Sequence, residues 1–409
     1  MTRPMDRAAA VPPTARPRLL YVDNLRTALT LLVVLHHAAI AYSNIPRWYY
    51  VETAADPSGT LLDVLLLLNQ AFFMGTFFLV SGLFVPGSHD RKGTGRFLGE
   101  RLLRLGVPLL VWLLLLRPLV TFGAYAEARD AAARQGAELP YWQYYLHSFT
   151  PGPMWFVEVL LVFSALYVLW RHLAAGKEGH ASGTAPAPTS SPAPTSSPAP
   201  ASSPAPGRAP GAVAIVGFTL GLALVTYLWR IVMPMGDPLP VLDLPTPAYL
   251  PQYAALFAVG LVAARRGWLE GLSRRTGRTG SAAAAVAAVG IVLLAVGSAG
   301  GTAFLGHGTW QSLAMAACES TLAVGIGLGL LVLFRERLGH QGRRLRFLST
   351  HAYAVYLVHP VVLVALGHAL SGVQAPAVAK FALLAVLAVP LCWALAFAVR
   401  ALPGARKVL

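Results

Sequence analysis

Arg26 and His37 lie in one apolar segment near the start of the sequence and are the residues best placed by type and spacing to do chemistry. An imidazole can take a proton from a hydroxyl near neutral pH, and a guanidinium can grip a phosphate or carboxylate. Eleven positions separate the two, so on a helix they share one face, about 16 Å apart along the axis. His36 points roughly 80° away from Arg26, so the two histidines are not equivalent. Asp23 stands three residues before Arg26 and joins His37 as a catalytic candidate. A structural account is equally open: Asp23 pairs with Arg26 at i, i+3, and the histidines bond neighbouring carbonyls.

Further polar residues fall within or beside apolar segments, where each is costly and therefore a candidate. Ser81 and Gly82 close the second segment, a pair that suits tight helix packing as well as a site. Arg101 and Arg104, at i, i+3 with Pro108 beyond, are either orientation-setting charge or an anion site. Arg117 and Asp63 are candidates for pairs on the outer side. Trp155 and Glu158 open the fourth segment, Glu319 lies in the eighth, and His359 sits mid-segment in the ninth. No phosphate-binding Gly-rich loop and no two-histidine zinc motif occurs. The histidines have no paired spacing for a metal, and Cys318 and Cys392 stand within apolar segments, implying no disulfide framework.

The elements that must hold these residues follow from composition. Of 409 residues, 56% are hydrophobic and only 12% charged, about half the charged fraction of a soluble domain. The apolar residues form blocks of roughly 20, the length of a helix across a bilayer. Because lipid offers no hydrogen bonds, such blocks read as helices rather than strands. The fold class is therefore all-α and polytopic. About ten spans are expected, near 19–42, 61–85, 105–124, 154–173, 211–233, 249–265, 281–300, 311–334, 347–369 and 377–400.

The net charge of +15 would suit nucleic acid, but its placement indicates topology instead. With the N-terminus inside, most of the 32 basic residues fall on the cytoplasmic side. The outer side has only Arg47, Arg129, Arg134, Arg230 and Lys380. This alternation is the positive-inside pattern, and it places both termini in the cytoplasm of a plasma-membrane protein. The organisation is a tail at 1–18, four helices with the main site over 19–173, a linker at 174–210, six helices over 211–400 and a tail at 401–409. Ser-Ser-Pro-Ala-Pro recurs in the linker at 190–194, 196–200 and 202–206, a density of proline that blocks helix and marks a disordered spacer. Two outer loops, 43–60 and 125–153, are rich in Trp and Tyr, residues that anchor at the interface or stack on a sugar.

Taken in order, these residues resemble the membrane-bound acyltransferase family 3, whose members O-acetylate or O-succinylate surface glycans, osmoregulated glucans and macrolides. Asp23, Arg26 and His37 are similar to its first-helix signature, and Phe77-Phe78-x-x-Ser81-Gly82 to its second-helix motif. Arg101-x-x-Arg104 with Pro108 resembles its third-helix entrance. Met154-Trp155-Phe156 and Tyr353-x-x-Tyr356-x-x-His359-Pro360 resemble later landmarks. Thr27 stands where the family often has Gly, and Glu158 follows Trp155 by three residues where some branches place a Glu at five.

The resemblance implies transfer of an acyl group from cytosolic acyl-CoA, a co-substrate, to a hydroxyl of a glycan or other acceptor outside. It implies no permanently bound cofactor and no nucleic-acid partner. His37 would be the base, with Arg26, Arg101, Arg104 and Ser81 holding acyl-CoA. His36, Arg117, Trp155, Glu158, Tyr356 and His359 would meet the acceptor or support the site. The rival reading is a transporter that moves a lipid-linked or acylated intermediate without chemistry. Repeat symmetry between the halves would favour the transporter, and none is seen around the linker.

Overall fold

A computed structural model describes residues 19–181, 207–237, 244, 246–298 and 301–409. Helices dominate, and no sheet forms among the described residues. In chain order they are α1 (Leu20–Ile40), α2 (Gly59–Gln70), α3 (Phe73–Lys92), α4 (Thr94–Arg101), α5 (Val107–Val111), α6 (Arg117–Arg134), α7 (Tyr141–His147) and α8 (Trp155–Ala181). There follow α9 (Ala212–Val232), α10 (Leu250–Arg266), α11 (Trp268–Gly271), α12 (Arg274–Gly297), α13 (Trp310–Arg337), α14 (Arg343–Ala369), α15 (Ala377–Ala401) and α16 (Ala405–Val408).

Nine helical stretches among the described residues are long and apolar enough to cross a bilayer. The expectation of ten differs at its first member. α1 has the length, but Asp23, Asn24, Arg26, His36 and His37 lower its apolarity, and it is not one of the nine. Its surroundings account for this: α2, α3, α13, α14 and α15 pack around it, so Asn24 and His36 are buried and Asp23 and His37 half-buried in protein, with Arg26 alone of the five exposed. α9, α12 and α15 instead expose large apolar side chains, among them Leu220, Leu228, Val286, Leu293 and Val386, as a lipid-facing surface requires. The protein is a multi-pass membrane protein.

Two details differ from expectation. The second span is one apolar stretch, Gly59–Lys92, but a turn at Ala71 and Phe72 separates α2 from α3 within it. The linker expected from residue 174 begins later: no proline occurs until Pro186, and α8 continues to Ala181. The rest of the linker up to 206, and the 1–18 tail, lie outside the described residues.

Glycines set the closest helix contacts. A Cβ on Gly82 would run into the Phe257 carbonyl, and one on Gly260 into that of Leu79, so α3 and α10 touch backbone to backbone. The Ser-Gly pair of the second span thus includes a packing glycine. Aromatic pairs reinforce the contact. Phe78 meets both Trp155 and Tyr253, and Phe163 meets Phe257, which aligns α3, α8 and α10.

Proline shapes the chain where the site lies. Lacking an N–H, it leaves a carbonyl one turn earlier without its helical donor. Two π-helical turns, Leu102–Gly106 and Trp112–Leu116, flank α5, each followed closely by proline, Pro108 or Pro118. Tyrosines take up carbonyls there: Tyr353 Oη donates to Arg104 O at 2.7 Å, and Tyr145 Oη to Leu113 O at 2.7 Å. In α14 the same effect of Pro360 reaches Tyr356 O, which accepts a bond from His359 Nδ1 at 2.8 Å.

Candidate active site

α1 and α14 run parallel, because the Arg26 charge reaches Tyr353 while His37 meets His359 eleven residues further along α1. This pairing divides the candidate residues into two groups. Arg26 is exposed, and its charge and that of Arg104 act on half-buried Arg101. Basic side chains from α1, α4 and the π turn after it are therefore gathered near one end of α1. Like charges gathered in this way repel, and an anion among them would relieve that repulsion. The Arg101 guanidinium also lies 5.3 Å from the Phe97 ring centroid. No hydrogen bond joins Ser81 to these arginines among the described residues; it is half-buried beside the Gly82–Gly260 contact.

The second group surrounds His37. Its Nδ1 lies 2.9 Å from Val33 O. A carbonyl can only accept, so Nδ1 carries the hydrogen and Nε2 keeps the lone pair. The ring lies 4.2 Å from Trp48 and 5.0 Å from His359, centroid to centroid. By the same reasoning His359 gives its Nδ1–H to Tyr356 O, and its Nε2, buried, has no partner among the described residues. Tyr356 Oη donates to Pro153 O, tying α14 to the turn before α8.

Gly152 in that turn has φ +52°, and a Cβ there would overlap the Tyr49 hydroxyl. Only glycine combines that backbone with that closeness.

The loop after α1 brings Trp48 to this place. Arg47 donates to Gly236 O at 2.7 Å, Lys380 pairs with Glu52, and the Ala377 N–H donates to Asp56 Oδ2 at 2.8 Å. The Asp56 carboxyl is held below the usual carboxylate range by hydrogen bonds from the Ser58 side chain and from the Ala377 and Ser58 backbone. Three anchors, one to Gly236 and two to the first turn of α15, thus fix the loop that carries Trp48.

A sequence model of an acyltransferase domain family matches residues 19–397, nearly the whole chain. The chain belongs to this acyltransferase family. No curated protein and no solved structure matches it. Membership makes the chain a membrane acyltransferase and sets the transporter reading aside.

Within the acyltransferase, the other candidates divide clearly. His36 is buried against Phe73, 4.9 Å away, and accepts from Asn69 Nδ2 at 3.1 Å, on a different face from His37. Asp23 is half-buried, one turn before Thr27, whose hydroxyl donates to Asp23 O at 3.0 Å. Trp155 stacks on Tyr253 at 5.3 Å in the aromatic layer beside the site. Glu158 is half-buried, and its Oε2 has no hydrogen-bond partner among the described residues.

Arg117 does not pair with Asp63. It donates to Ser148 O and lies 4.3 Å from the Tyr145 ring, while Asp63 binds Asn44 at 2.7 Å. The π turns before Arg117 and the α6–α8 connection bring Ser148, rather than α2, to its guanidinium.

Two features lay beyond sequence reasoning. Trp48 stood in an aromatic loop, but nothing local said that it would cover His37. Arg230, counted as outer-side charge, forms a fully buried ion pair with Glu319 at 2.6 Å, and Tyr249 Oη donates to the same carboxylate at 2.7 Å. A basic residue and an acid on separate apolar spans were the available signal, since neither is tolerated there alone.

Proposed function

We propose that this acyltransferase moves an acetyl or similar group from cytosolic acyl-CoA to a hydroxyl of a glycan or related acceptor at the outer face of the plasma membrane. The observation that carries the reading is His37 held as its Nδ1–H tautomer, with Nε2 as the basic nitrogen, on the helix that also bears Arg26. About 16 Å of helix separates an anion-holding end from a proton-accepting end, which suits a long donor with phosphates at one end and a thioester at the other.

His37 Nε2 takes the proton of the acceptor hydroxyl as its oxygen attacks the thioester carbonyl. The new C–O bond forms, the C–S bond breaks, and the departing thiolate recovers the proton from His37. Arg26, Arg101 and Arg104 hold the phosphates, and Ser81 completes the donor side. Asp23, on the helix that carries the base, supports its catalytic role, while His36, Arg117, Trp155, Glu158, Tyr356 and His359 shape the acceptor side.

The test uses purified protein in liposomes with labelled acetyl-CoA and a soluble glucan. Label should become ester-linked to the glucan on the face opposite the donor, and His37→Ala should abolish this. Transfer undiminished in His37→Ala would remove His37 as base; product confined to the donor face would overturn the proposed direction.

A further inference from the structure

Near His37 several hydrogen-bond donors are already engaged, while one in contact with its ring is buried without an acceptor among the described residues. His37 Nδ1 serves Val33 O, His359 Nδ1 serves Tyr356 O, Tyr356 Oη serves Pro153 O, and Asn69 Nδ2 serves His36. The indole N–H of Trp48 is buried and has no acceptor among the described residues. Indole nitrogen can only donate, so a second role as acceptor does not satisfy it. Leaving such a donor unpaired and buried is unfavourable, and a ligand oxygen would remove that cost.

The position of this donor is specific. The Trp48 ring lies 4.2 Å from His37 and 6.2 Å from His359, nearly parallel to the latter at 17°. Trp112 also has a buried, unpartnered N–H, but its ring contact is with Tyr49, at 5.9 Å, which lies between it and Trp48. Trp48 is thus the donor set beside the base, on a loop fixed at Arg47, Glu52 and Asp56.

We propose that the Trp48 indole N–H donates to the acyl carbonyl oxygen as that oxygen takes on negative charge during transfer. This rests on the reading of His37 as base. When the acceptor oxygen attacks, the carbonyl π electrons move onto oxygen and Trp48 holds the resulting oxyanion. When the intermediate collapses, they return, the C–S bond breaks and the hydrogen bond weakens. A donor fixed before the reaction stabilises that charge without reorganising.

The experiment replaces Trp48 with 3-benzothienylalanine, which keeps the shape and stacking but has sulfur in place of N–H, and in parallel makes Trp48→Phe. Thiol release from acetyl-CoA in the presence of a soluble glucan is followed in proteoliposomes. Loss of one such donor should lower kcat about 100-fold, with KM for acetyl-CoA and the pH profile unchanged. If the benzothienyl protein keeps kcat within about threefold of wild type, or loses only KM, the proposal is overturned. That result beside an inactive His37→Ala removes Trp48 alone. Active His37→Ala, or wild-type protein that releases no thiol, removes the base reading and the Trp48 role with it. Should Trp48→Phe fail to fold, the benzothienyl protein decides the matter by itself.

Discussion

The two ends of α1 handle polarity in opposite ways. At Arg26 the side chain is exposed, and its charge and that of Arg104 act on Arg101, so fixed positive charge is concentrated there. At His37 the groups are imidazoles and indole, packed ring against ring, with basic and donor nitrogens left over. The first end can bind charge strongly but has no group suited to moving a proton at neutral pH. The second can move a proton and has no fixed charge to hold a polyanion. Putting them on one rigid helix sets the distance between binding and reaction, which a pair of loops could not do. The Arg230–Glu319 pair is a third case: buried charge that is answered internally and so calls for no ligand.

Variants at the three places should therefore fail in different ways. The largest effect is expected for His37→Ala, a fall of about 10²–10⁴ in transfer rate, measured with labelled acetyl-CoA, with unchanged insertion and thermal unfolding. A comparable loss of stability with the activity would merge the reactive end with the structural pair. Glu319→Gln should instead destabilise by about 3–5 kcal/mol, because it leaves the Arg230 charge buried and unanswered. Thermal unfolding in detergent would show this, and adding Arg230→Met should recover most of it.

Arg26→Ala should raise KM for acetyl-CoA about tenfold or more while kcat at saturating donor changes little. Initial rates over a donor series decide the matter, and a fall in kcat alone would move Arg26 out of the binding end.

The smallest effect is expected at Asp56. Its pKa is lowered in the folded protein, so its contribution is complete above the unfolded carboxylate value and is lost as pH falls through the folded one. Acidification into that range should loosen the loop bearing Trp48, and Asp56→Asn should weaken that pH dependence. Hydrogen exchange of residues 43–58 reports it; exchange that stays independent of pH would separate Asp56 from the loop.

Much of the architecture was legible because insertion in lipid is a local property of sequence. An apolar block of the right length must become a helix wherever it sits, so every expected span has a helical counterpart. α1 was the instructive departure, since its polar residues are tolerated only inside a ring of other helices. Helical periodicity likewise put Arg26 and His37 on one face and turned His36 away, and the order of motifs identified the family. The break at Ala71–Phe72 and the extension of α8 were less legible, since no proline or long polar run marks either.

By itself, then, the sequence determined the helices, the spacing of Arg26 from His37, and membership of an acyltransferase family. Local rules suffice for these, because each depends on residues within a few turns of one another. Tertiary structure decided the neighbours. It brought Arg101 and Arg104 to Arg26, Ser148 rather than Asp63 to Arg117, and Glu319 to Arg230. It also laid Trp48 on His37, with His359 on the other helix that borders the base. Such contacts join residues far apart in the chain, and only the packing of whole helices and the anchoring of loops across them can choose among the pairings that composition permits.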